Sequence, residues 1–91
     1  MTWTVDFTDK ALKQLKRLEG KDAKRILSFM GVNVAGADNP RLSGKALSGK
    51  LGDLWSYRVG DFRIICDIQD KLLRVLVVVV GNRRDVYRIK K

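Results

Sequence analysis

The chemistry available to this sequence is carried by arginine. Arg58 and Arg63 flank a glycine turn in "YRVGDFR", and Arg83, Arg84 and Arg88 surround Tyr87 in "GNRRDVYR". A guanidinium group keeps its charge, and its planar fork pairs bidentately with phosphate. A tyrosine one helical turn beyond Arg83 and Arg84 can stack on a base or hydrogen-bond a phosphate. Lys45 and Lys50 in "SGKALSGKLGD" add to the same charge, as does Arg41. Nineteen Lys and Arg against ten Asp and Glu give a net charge of +9. Residues 83–91 alone hold five positive charges and one negative. A domain this basic is drawn to an anionic partner, of which nucleic acid is the commonest.

What is missing narrows the reaction. The chain has no histidine, which removes Ser-His-Asp and Cys-His units and histidine-based ribonuclease chemistry. A single cysteine without histidine argues against zinc, and Asp53, Asp61 and Asp67 are not spaced as a two-metal cluster. No GxxxxGK[ST] loop is present. The expectation is therefore an activity with no metal and no cofactor. RNA strand scission meets that condition, because the 2′-OH of the substrate is itself the nucleophile. Arginines would stabilise the charge that builds on phosphorus.

These residues must be positioned by a small fold. Ninety-one residues, 45% hydrophobic with one proline, read as one globular domain spanning 1–91. No run of about 20 apolar residues is present to cross a membrane, and "MTWTVDFTDK" lacks the pattern of a signal peptide. The lone Cys66 fits a reducing cytoplasm. "TWTVDF" alternates Trp3, Val5 and Phe7 against polar residues, as a half-buried strand does. Thr8 or Asp9 caps a helix carrying Ala11, Leu12, Leu15 and Leu18, which Gly20 ends. Asp22 caps a second, with Ala23, Ile26, Leu27, Met30 and Val34 on one face. Residues 35–53 read as a long loop, holding four of the eight glycines and the only proline.

Three strands follow. "LWSYRV" and "FRIICDI" are joined by Gly60-Asp61, a two-residue hairpin turn. Trp55, Tyr57 and Val59 share one face with Phe62, Ile64, Cys66 and Ile68, so Cys66 is a small core hydrophobe. "LLRVLVVVV" is apolar on both faces, as a central strand is, and a short helix around 84–89 closes the chain. The fold class expected is α+β: order β-α-α-β-β-β, an antiparallel sheet with a helical hairpin on one face. Alternation puts Arg58 and Arg63 on the other face. The last strand runs back towards them, bringing Arg83 near although 25 positions separate it from Arg58.

"LWSYRVGDFRIICDIQD" followed by "VLVVVVGNRRDVYR" resembles the RelE/ParE superfamily of toxins from type II toxin–antitoxin pairs, and its RelE branch more closely. "VDFTDKALKQLKRL" and "RLSGKALSGKLGDLW" match as well, so the resemblance covers nearly the whole chain. It implies a metal-independent mRNA interferase that cuts messenger RNA in the ribosomal A site. It also implies a RelB-like antitoxin that wraps and silences the toxin, the complex of the two meeting operator DNA. By position, Arg63 matches a catalytic arginine on the scissile phosphate, and Arg83 a general acid or transition-state stabiliser. Tyr87 matches the tyrosine that stacks on or orients the substrate nucleotide. The chain departs from the pattern at Leu54 and Ser56, where well-studied members have lysines, and at Asn82, where many relatives have histidine. The general base is left open among Lys45, Lys50 and the ribosome.

Two other classes compete with the endoribonuclease reading. One is a ParE-like, non-enzymatic inhibitor of DNA gyrase. The other is a basic subunit that binds nucleic acid without cutting it, recognisable by a steep salt dependence.

Overall fold

The computed structural model describes residues 3–47 and 54–82. The first strand, β1 (Thr4–Phe7), leads into helices α1 (Asp9–Lys16) and α2 (Gly20–Phe29), and α2 widens into a π-helical turn at Met30–Ala35. A 3-10 turn at Pro40–Leu42 precedes β2 (Lys45–Ala46). Then come β3 (Trp55–Val59), β4 (Phe62–Gln69), a 3-10 turn at Asp70–Leu72 and β5 (Arg74–Asn82). The sheet order is β1-β5-β4-β3-β2, with β1 parallel to β5 and the other pairs antiparallel. The expected α+β architecture holds, as a mixed sheet. After the helices the chain re-enters at the far edge, and the β3–β4–β5 meander then brings β5 back beside β1 in the parallel sense.

Local signals explain the helices. The Thr8 hydroxyl accepts the Ala11 amide at 3.1 Å, so threonine is the cap rather than Asp9, which sits in the first turn and complements the dipole. Two expectations about α2 need correction. Gly20 opens this helix instead of closing α1, and Glu19 holds the cap position with no side-chain bond, leaving Asp22 in the first turn. Leu27 is also 47% exposed. It lies one residue, and so about 100°, past Ile26, off the stripe of Ile26, Met30 and Val34 that is buried.

One core lies between the helices and the sheet: Ala11, Leu15, Ile26, Met30 and Val34 pack on Tyr57, Ile64, Cys66, Val75, Val77 and Val80. Phe29 meets the Tyr57 ring edge-on, with centroids 5.7 Å apart. Cys66 is fully buried there as expected, and burial pushes its thiol well above the ordinary range. The inward row on β5 breaks its period of two, passing from Val77 to Val80. A bulge is responsible: Cys66 pairs with Val77 but Ile65 with Val79, so Val78 is extra. Beyond the end of β1, the Val80 amide donates to the Gln14 side chain from α1 at 2.8 Å.

The stretch expected to be a long loop is partly built, because three ring donors tie it to the sheet. Trp3 donates its indole N–H to the Asp38 carbonyl, Trp55 to the Ser43 carbonyl and Tyr57 its hydroxyl to the Pro40 carbonyl, at 3.3, 2.7 and 2.6 Å. Gly44, at φ 78°, lies where a Cβ would fall on the Ser56 carbonyl, so glycine alone admits β2 alongside β3. Arg41 does not extend a basic surface. Its fork takes both carboxylate oxygens of Asp70 at 2.8 and 2.9 Å. That bond raises the Arg41 guanidinium and lowers the Asp70 carboxyl from their ordinary values.

Candidate nucleic-acid interface

The face of the sheet away from the helices collects the candidate residues in two rows. In one, Lys45 on β2 pairs with Ser56 on β3, Ser56 with Ile65 on β4, and Ile65 with Val79 on β5. In the next, Arg58 pairs with Arg63, and Arg63 with Gly81. Directly paired antiparallel residues point to the same side, with Cβ atoms about 4.5–5.5 Å apart. Lys45, Ser56, Arg58 and Arg63 are therefore neighbours on one surface. A small apolar cluster of Ile65 and Val79, with Leu47, Leu54 and Val78 against it, forms the floor beside them.

Several features of this surface resist a purely structural account. Arg63 is only 8% exposed, and among the described residues its buried Nε has no hydrogen-bond partner. Ser56 is 1% exposed, and its hydroxyl also lacks a partner among the described residues. Arg58 and Arg63 set like charges opposite each other, an unfavourable pair in a sheet. Among the described residues neither has a carboxylate partner. The opposite end of the sheet differs, since Arg41 holds Asp70 and Arg74 holds Asp6 at 3.7 Å and Gln69 at 2.6 Å. Buried polar groups are nearly always satisfied within the fold, so these two orphans call for a reason other than stability. Two cations with free donors and a hydroxyl suit a phosphate group.

The sequence reading placed Arg58 and Arg63 correctly on one face of the hairpin. The Gly60-Asp61 turn is the tight one expected, with Gly60 at φ 60°. Lys45 belongs to a strand rather than a loop, a placement that a two-residue strand in a glycine-rich segment does not announce. Ser56 was legible only as a missing lysine, whereas its buried hydroxyl has no partner among the described residues. Lys50, Arg83, Arg84, Tyr87 and Arg88, with the expected C-terminal helix, lie outside the described residues. β5 is described as far as Asn82, which pairs with Phe62.

Comparison with known proteins agrees with this fold. Residues 5–87 match the family profile described as ParE toxin of type II toxin-antitoxin system, parDE. Toxin RelG of Mycobacterium tuberculosis is 30% identical over 88 residues, covering 97% of this chain and 99% of that protein. Toxin RelE of the same organism is 33% identical over 85 residues, covering 93% and 86%. Among solved structures, the toxin–antitoxin complex RelBE2 from M. tuberculosis superposes with a TM-score of 0.83 at 26% identity, over 91% of this chain and 93% of that one. The archaeal RelE–RelB complex from Pyrococcus horikoshii gives 0.72 at 26% identity, over 91% and 97%. A free E. coli RelE variant gives 0.77 at 24% identity over 96% and 92%, a likeness of fold. With a profile spanning nearly its whole length and relatives matched end to end, this chain belongs to the ParE toxin family, within the RelE/ParE superfamily of type II toxin–antitoxin systems.

Proposed function

We propose that this toxin, a single domain over residues 1–91, is a cytoplasmic, metal-independent endoribonuclease that cuts messenger RNA in the ribosomal A site. The observation that carries the reading is Arg63: a buried guanidinium whose Nε has no acceptor among the described residues, beside a second arginine with no carboxylate partner among them. In the reaction, the 2′-oxygen attacks the adjacent phosphorus and the bond to the 5′-oxygen breaks. A 2′,3′-cyclic phosphate and a 5′-hydroxyl remain. One proton leaves the 2′-oxygen and one reaches the 5′-oxygen. Arg63 holds the non-bridging oxygens as their charge grows, a role whose loss costs about 10²–10³-fold in rate in well-measured oxyanion sites. Arg83 delivers the leaving-group proton or shares the charge, and Tyr87 stacks on the nucleotide. Arg58, Lys45, Lys50, Arg84 and Arg88 bind flanking phosphates. Lys45, opposite Ser56, is the described lysine on this face, which supports it as the proton acceptor.

An exposed cationic site that arrests growth must be masked. A RelB-like antitoxin fits, since the M. tuberculosis and P. horikoshii neighbours are toxin–antitoxin complexes. An acidic segment folding across Arg58 and Arg63 would supply their missing carboxylates, and the joint complex would carry operator DNA binding. The test is a reconstituted translation reaction with end-mapped mRNA, with and without ribosomes, comparing wild type with Arg63→Ala. Cuts within A-site codons, only with ribosomes and only in the wild type, are expected. The family profile's parDE name favours a second reading, gyrase inhibition. Intact mRNA together with double-strand DNA breaks would establish it.

A further inference from the structure

The hairpin tip holds a third arginine that periodicity assigns to the outside of a helix. Arg25 is exposed on α2, on the helical side of the sheet. Both its terminal nitrogens lie 3.3 Å from the point where a Cβ of Gly60 would stand. From the other face, the Arg58 Nε donates to the Gly60 carbonyl at 3.3 Å. One glycine is thus clasped by two guanidinium groups, and the missing Cβ is what admits Arg25 so closely. Among the described residues no carboxylate pairs with Arg25, although Asp61 is next in the turn. Like charges gathered on a turn are unfavourable unless an anion joins them.

We propose that Arg25 and Arg58 form a second phosphate subsite at the Gly60 turn, which takes the RNA phosphate next to the one held by Arg63. The inference rests on the ribonuclease reading and extends it to a residue on the far layer of the fold. Contiguity favours a polynucleotide over an acidic peptide. Arg58 is shared, being opposite Arg63 on one side and bonded to Gly60 on the other, so Arg63, Arg58 and Arg25 make a continuous line from the buried position to the tip. Such a line tracks a backbone of regularly spaced charges.

The experiment measures the affinity of the purified toxin for a 2′-O-methyl RNA oligonucleotide, which lacks the nucleophile, across a range of NaCl concentrations. Wild type, Arg25→Gln and Lys24→Gln are compared. Lys24 is the exposed neighbour of Arg25 on α2, so its variant removes the same charge from the same helix. The slope of log affinity against log salt should fall by about 0.7 for Arg25→Gln, the loss of one single-strand phosphate contact, and stay unchanged for Lys24→Gln. Glutamine is a good helix former, and circular dichroism checks that the fold is intact. Equal slopes for all three proteins, or equal losses in both variants, overturn the subsite while leaving ribosome-dependent cleavage by the wild type untouched. An absence of salt-dependent binding by the wild type overturns the subsite, and the reconstituted translation reaction then decides the ribonuclease reading separately.

Discussion

Arg63 stands directly across the β3–β4 pair from Arg58, buried while its partner is exposed, and among the described residues neither forms an ion pair with a carboxylate. Stability alone gives no reason for this pairing, since an unpaired buried cation and a like-charge neighbour are both unfavourable. Sites that bind anions commonly hold such a conflict in the empty state.

The conflict separates activity from stability. Arg63→Met keeps an unbranched apolar stem, though a shorter one, and removes the charge. Cleavage should fall by about 10²–10³-fold, while the melting temperature stays level or rises. A melting temperature several degrees lower would mean that Arg63 supports the fold, and the site would need another anchor.

Tyr57→Phe tests how the segment after α2 is held. The hydroxyl donates to the Pro40 carbonyl from a fully buried ring, so the variant leaves that acceptor unmatched. Stability should drop by about 1–3 kcal/mol, with each kcal/mol worth roughly 4–8 °C in a domain of this size. Thermal unfolding followed by circular dichroism reads the change. An unaltered midpoint would show that the carbonyl finds water instead.

Asp70 sets part of the acid limb. Its carboxyl is held below the ordinary range by the hydrogen bond to Arg41, so the stabilisation is present above the unfolded carboxyl value of about 4 and disappears as pH falls through the lower folded value. Both groups face solvent, so the effect is modest and screened by salt. Asp70→Asn should flatten the loss of stability in acid at low ionic strength. Identical acid limbs for variant and wild type would remove the fork from any role in stability.

The alkaline limb has the opposite sign. Burial pushes the Cys66 thiol and the Tyr57 phenol upward, so the folded state keeps protons that the unfolded chain releases. Stability should begin to fall above about pH 8.5, the ordinary thiol value, and fall more steeply past about 10. In Cys66→Val the first part of that decline is absent and only the tyrosine part remains. Midpoints measured between pH 7 and 11 would show the delay; superimposed curves would mean that Cys66 ionises freely in the fold.

Much of the scaffold is written locally. The alternation in "LWSYRVGDFRIICDI" places tyrosine and arginine on opposite faces because side chains on a strand point up and down in turn, and Gly60 supplies the positive φ of the turn. Thr8 and the leucine spacing start and orient α1 in the same way. These features depend on neighbours a few positions apart, so they can be read along the chain, as can the excess of positive charge. Other features arise only on packing, between partners far apart in the chain. The bulge at Val78 turns Val80 inward and leaves Gly81 opposite Arg63. Gln14 satisfies an amide 66 positions away, Gly44 admits a strand that sets Lys45 against Ser56, and Arg25 crosses from a helix to the hairpin tip. Each depends on how packed layers meet and on which backbone groups are left over, and no period in the residues encodes that.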